Sequence, residues 1–220
     1  MTNVIPVFPL TGSLLLPGNL MPLNVYEPRY CNLVADALAG ERFIGMIQPA
    51  VPQLDNRVED LEAEPDHPEL YTVGGLGHID ACEPQPDGRY LILLRGILRF
   101  RVREELPLHR GYRRVVADYT EFAHDKDEAA TALDPGPLLA ALRTFGDRHG
   151  LSFDYELLKD LPGVSLLNGL AVALPFGPAD KQALLEARGP KERREMLLCL
   201  MGMGLEPLTS DDDYVPPVVH

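Results

Sequence analysis

Residues 5–30 read IPVFPLTGSLLLPGNLMPLNVYEPRY, and the punctuation of this stretch decides the fold. Five prolines (Pro6, Pro9, Pro17, Pro22 and Pro28) interrupt short apolar runs. Proline has no backbone N–H, so it is confined to strand starts, sheet edges and turns. The stretch therefore predicts several very short strands joined by tight corners, with no room for a long helix. Pro28 suits the first turn of a helix beginning near Tyr30, where its missing donor would be unpaired in any case.

Downstream, Tyr30, Leu33, Val34, Ala37 and Leu38 fall on one stripe, which predicts an amphipathic helix to Ala39 closed by Gly40. Phe43–Gln48 is a compact apolar strand, and residues 49–68 are a polar loop rich in Pro, Asp and Glu. Pro86-Asp87-Gly88 marks a hairpin turn between two strand-like runs. From Arg95 the period is two. Gly96, Leu98, Phe100 and Val102 share one face; Arg95, Ile97, Arg99, Arg101 and Arg103 share the other. That alternation predicts a strand with an apolar inner face and a basic outer face. Tyr112–Tyr119 is a further strand.

After about Phe122 the pattern turns helical. Asp134 is placed to cap a helix from Pro135 to Gly150, with Leu138, Leu139, Leu142 and Phe145 as its core stripe. Shorter helices follow around Asp154–Leu161, at Leu166–Leu174 with Ser165 as cap, at Pro178–Arg188 and at Pro190–Met203. The order, strands then helices, is that of an α+β protein. The divisions expected are a β-rich part over 1–122, a helical part over 123–204 and a disordered acidic tail over 205–220.

Composition excludes several classes of function. The 220 residues suffice for one large or two small domains without a metal or disulfide staple. The net charge of −13 is the reverse of that usual in nucleic-acid binders and disfavours anionic partners. Three scattered cysteines (Cys31, Cys82 and Cys199) form no C-x-x-C, which points to a reducing compartment. The longest near-apolar run, Val164–Phe176, is short of the ~20 residues that span a membrane. A soluble, cytoplasmic protein is expected.

No catalytic, cofactor or metal constellation emerges. None of the lysines (Lys126, Lys159, Lys181 and Lys191) ends a P-loop, and no serine lies in G-x-S-x-G. Gly74-Gly75-Leu76-Gly77 lacks the last glycine of a dinucleotide fingerprint and reads as backbone room at a strand or bulge. Cys31, beside an apolar stripe, reads as a buried inert thiol. The six histidines lack metal-ligand spacing, and Asp211-Asp212-Asp213 reads as solvated tail.

Three blocks, in order, resemble the substrate-binding N-terminal domain of ATP-dependent Lon proteases. The first is Ile5–Leu10, Leu16-Pro17-Gly18, Pro22-Leu23 and Val25–Tyr30. The second is Tyr71, Val73-Gly74, Ile79, Pro86-Asp87-Gly88, Gly96 and Arg99–Val102. The third is Leu174-Pro175-Phe176, Lys181-Gln182, Leu185-Glu186 and Arg193. The resemblance implies a PUA-like β pseudo-barrel followed by an α-helical bundle. It further implies a non-catalytic module that binds unfolded or exposed protein segments, or a partner such as a protease or chaperone. Of its motif residues, Pro9, Pro17, Pro22, Glu27, Pro28, Arg29 and Tyr30 are read as structural. The proline-rich corners around Leu14–Tyr26 and the loop 49–68 are candidate binding rims. The alternative is an RNA-binding module using the basic patch Arg95, Arg99, Arg101 and Arg103; against it stands the expectation that these arginines pair across strands with Glu104, Glu105, Asp118 and Glu121, as sheets favour.

Overall fold

Strands and helices segregate along the chain, as the change of periodicity near Phe122 requires. The computed structural model describes residues 3–50 and 68–204. The strands are β1 (Val4–Pro9), β2 (Leu20–Val25), β3 (Phe43–Ile47), β4 (Val73–Pro84), β5 (Tyr90–His109) and β6 (Tyr112–Asp118), with helix α1 (Pro28–Ala39) between β2 and β3. A 3-10 helix over Ala123–Ala130 leads into α2 (Gly136–His149), α3 (Tyr155–Leu158), α4 (Gly163–Ala173), α5 (Pro178–Glu186) and α6 (Pro190–Met203).

The sheet order is β2-β5-β4-β3-β1-β6, and β6 also pairs with β5. Five strands therefore close on themselves like a barrel, and β2 is left over as an added edge. The 20-residue β5 makes this possible. One of its sides runs along β4, while the other pairs with β2 over Tyr90–Arg95 and with β6 over Arg101–His109. The ring interior is filled by Ile5, Val7, Ile47, Leu76, Leu98, Phe100, Val115 and Ala117. A second cluster lies under α1, where the Tyr30 ring stacks on Phe8 at 4.1 Å.

Glycine is required where the loop after β1 crosses the sheet. A Cβ on Gly75 would sit 2.1 Å from the Leu15 carbonyl oxygen, and one on Gly96 would sit 2.0 Å from that of Leu16. The ladder also shifts register between Leu76 and Gly77. The loop's far side joins the helical half: Leu14, Leu16, Val73 and Phe122 share one apolar cluster with α2, α4, α5 and α6.

Several boundaries depart from the sequence reading. α4 begins at Gly163, with Pro162 in the capping position, so Ser165 lies inside the helix and caps nothing. α3 is a single turn, held by Asp154 accepting from the main-chain N–H groups of Glu156 and Leu157. Gly40 ends α1 with φ −111°, and the left-handed residue of that turn is Arg42 at φ 62°. Cys31 is half-buried rather than buried. Most of the loop 49–68 and the tail 205–220 lie outside the described residues.

Candidate protein-binding surface

The arginines of β5 do not form one basic face. Arg99 is 0% exposed, because the helical half covers the sheet there. Its guanidinium donates to Asp125 at 2.7 and 3.0 Å and to the carbonyls of Leu185 and Ala187 at the end of α5. Its main-chain N–H, in the stretch of β5 between β2 and β6, also donates to Asp125, at 2.9 Å. The Phe122 ring lies 4.5 Å from the guanidinium carbon. The period-two reading of Arg99 as an outer, solvent-facing residue is thus corrected: protein replaces water on that side. The alternation itself breaks at Ile97, where Gly96 pairs with Gly77 but Leu98 with Leu76, so Gly96 lies on the side of Arg99, against the Leu15–Leu16 crossing, and not with Phe100.

A second buried pair extends this joint. Arg193 donates to Glu128 at 2.5 Å, to Asn168 at 2.7 Å and to the Leu184 carbonyl at 3.2 Å. Asn168 in turn donates to Glu128 and to the Pro17 carbonyl. Gln48, at the end of β3, donates to the Pro178 carbonyl at 3.1 Å, and Gln182 donates to the Val73 carbonyl at 3.2 Å. Buried charges are tolerated when paired and hydrogen-bonded in this way. Lys181 differs. It is 6% exposed, burial lowers the pKa of its amine, and it meets no carboxylate among the described residues.

The other three arginines reach solvent, Arg101 only half, and are neutralised locally. Arg95 pairs with Asp80 at 2.7 Å, Arg101 with Glu121 at 2.7 Å, and Arg103 with Asp118 at 2.8 Å. Arg95 and His78 hold the Asp80 carboxyl below its usual range. Hydrogen bonds from Thr120, and then Arg103, hold Asp118 at about 2. Such pairing removes the free cations on which phosphate binding depends.

Nor do reactive groups converge. Burial pushes the thiols of Cys31 and Cys82 up, away from the thiolate. His78 contacts Asp80, His109 lies 3.6 Å from Asp36, and His124 contacts the Arg188 carbonyl, so these three lie apart. Among the described residues no three His, Cys, Asp or Glu side chains could hold a metal ion. No described helix is long and apolar enough to cross a membrane. His67, His220 and Asp211-Asp212-Asp213 lie outside the described residues.

The motif residues build the corner that presents β2. Pro9 ends β1, and Pro28 opens α1. Glu27 accepts from Arg29 at 2.8 Å, and the Arg29 guanidinium lies 4.7 Å from the Tyr30 ring centre. Pro22 sits mid-strand in β2, exposed.

What β2 presents is mainly apolar, with Asn24 as its polar member. Met21, Leu23 and Val25 turn toward the cluster under α1. Leu20, Pro22 and Asn24 turn the other way, and Tyr26 continues their parity. The register sets Leu20 against Arg95, Pro22 against Leu93 and Asn24 against Leu91, and then Leu93 against Ala81 and Leu91 against Glu83 on β4. Leu20, Pro22, Leu91, Leu93 and Ala81 thereby share one outer face, rimmed by the Arg95–Asp80 pair and Glu83. Leu20 is 54% exposed, Tyr26 49% and Leu91 43%. An exposed apolar face of this kind makes a candidate interaction surface. The sequence reading named the corner region 14–26 as a candidate rim and did not include Leu91 and Leu93, because register across strands is not written in one strand's sequence.

Comparison with known proteins agrees with this architecture. The model of the ATP-dependent protease La (LON) substrate-binding domain matches residues 4–202. Lon protease 2 of Sorangium cellulosum is 31% identical over 211 residues, which cover 93% of this chain and 25% of that protein. The Lon protease of Dictyoglomus thermophilum is 28% identical over 210 residues, with the same coverage of 93% and 25%. The chain thus spans about a quarter of the length of these relatives. Among solved structures, the Lon N-terminal domain protein from Xanthomonas campestris superposes with a TM-score of 0.61 at 26% identity, covering 90% of this chain and 98% of that one.

Proposed function

The chain belongs to the family of ATP-dependent protease La (LON) substrate-binding domains, and from that membership we propose that it is a non-catalytic recognition module for exposed or unfolded segments of other proteins. The observation that carries this reading is the outer face of β2, β5 and β4, where Leu20, Tyr26 and Leu91 are each more than two-fifths exposed. Exposing such groups opposes folding economy, and a partner that covers them recovers the lost burial. The two halves are held together by buried pairs, Arg99 with Asp125 and Arg193 with Glu128, and by the Gln48 and Gln182 bonds across the joint. The module works in the cytoplasm, alone or handing clients to a protease or chaperone. The arginines of β5 are committed to carboxylates, so no observation favours the RNA reading.

A labelled, permanently unfolded client protein tests the proposal by fluorescence anisotropy. The wild-type chain binds it, and Leu20→Asp combined with Leu91→Asp weakens binding at least roughly tenfold, the equivalent of about 1.4 kcal/mol, without changing the melting temperature. Equal binding by the double variant removes the face from the account, and no binding by the wild type removes the function.

A further inference from the structure

β2 is bonded on one side only. It pairs with β5, and none of its outward main-chain groups has a backbone partner among the described residues. The Gly96 N–H donates to the Asn19 carbonyl at 2.8 Å, which fixes the parity of the ladder. Met21, Leu23 and Val25 then turn their main-chain groups to β5, while Leu20, Pro22 and Asn24 turn theirs to the open side. Three carbonyls and two N–H groups are offered there, because Pro22 has no N–H.

We propose that this edge takes the client as an added β-strand, so that the ligand is an extended apolar segment of another polypeptide held by main-chain hydrogen bonds along β2. The proposal rests on the recognition function above and gives it a geometry. An unpaired edge is a template for a strand and for nothing helical, since a helix has already used its own N–H and C=O groups. The rows of side chains flanking the edge are mainly apolar: Leu20 and Pro22, followed by the polar Asn24, on the outer face, and the half-buried Met21 and Leu23 on the other. A guest strand sets alternate side chains beside each row. An unfolded segment with apolar residues on both faces fits; a surface strand with one charged face does not.

Pro22 makes the edge asymmetric. A guest can donate to the carbonyls of Leu20, Pro22 and Asn24 but can accept only from the N–H groups of Leu20 and Asn24. The same gap limits pairing of two copies through their β2 edges. In an antiparallel dimer centred on Pro22, the central residue of each strand lacks its donor, which protects the edge from self-association while leaving it open to a guest.

The test uses the full chain and a fluorescein-labelled ten-residue peptide of alternating valine and leucine with lysine at each end. Single N-methylation is moved along the peptide, removing one donor at a time. Strand addition predicts a two-residue alternation: methylation at guest positions facing Leu20, Pro22 or Asn24 weakens binding by about fivefold each, and methylation at the intervening positions does not. Equal effects at every position, or equal binding of the same side chains locked into a helix, overturn strand addition while leaving recognition of unfolded clients standing. If the wild-type chain binds neither this peptide nor an unfolded client, the recognition reading falls and the proposal falls with it.

Discussion

The joint between the two halves and the open edge of β2 solve opposite problems with the same strand. At the joint, β5 contributes Arg99, whose main chain and side chain are both satisfied by Asp125 and by carbonyls at the end of α5. At the edge, β5 contributes Leu91 and Leu93 beside a strand whose outer main-chain groups are unbonded among the described residues. The joint hides its arginines and satisfies them; the edge exposes apolar surface and leaves it uncovered. A region built for rigidity spends its polar groups internally, and a region built for binding keeps unused capacity on its surface.

The comparison breaks most sharply if a joint residue is truncated. Arg99→Ala strands the Asp125 carboxylate in a dry interface and costs about 3–5 kcal/mol, read from urea unfolding. Arg101→Ala, on the same strand but half-exposed and paired with a solvent-facing carboxylate, costs about 0.2–1 kcal/mol. Similar costs for the two would mean that the joint is not dry.

Lys181 sharpens the contrast, since it is the joint's unbalanced charge. Burial depresses its pKa in the folded state. The unfolded chain therefore binds more protons than the folded one between the depressed value and the usual 10.5, and stability rises with pH across that window. Lys181→Met should stabilise the protein by about 1 kcal/mol at neutral pH and abolish that part of the rise. An unchanged pH profile would mean that the amine reaches a counter-charge.

The smallest effect belongs to the exposed pairs. Asp118 is held at about 2, below its unfolded value, so its contribution is complete above the unfolded pKa and is lost as pH falls through the folded one. The stability difference between wild type and Asp118→Asn should be small at neutral pH and close between about pH 4 and 2. A gap that persists at pH 2 contradicts the pairing.

Much of this was legible in the sequence where spacing carries physical meaning. The prolines and Pro28 located β1, β2 and the start of α1; the stripe Tyr30–Ala37 gave α1; Pro86-Asp87-Gly88 gave the β4–β5 hairpin; and α6 begins and ends at Pro190 and Met203 as its pattern implies. Strand parity in β5 was right from Leu98 to Arg101, but the bulge at Ile97 moves Gly96 to the opposite face. What parity could not say is which side is wet, so Arg99 read as surface. Arg193, Asp125 and Glu128 were equally hidden, because a buried charge is recognisable only with its partner, and these partners are 26 and 65 residues away. The apolar face escaped for the same reason: Leu20 and Leu91 become neighbours only once β2 is set against β5.

Amide hydrogen exchange of the full chain, with and without a bound unfolded client, tests the central claim most directly. The account predicts that exchange slows at Leu20 and Asn24, whose N–H groups face outward, and is unchanged at Arg99, already bonded to Asp125. Protection centred on the helical half, or absent from β2 while the client is bound, would contradict it.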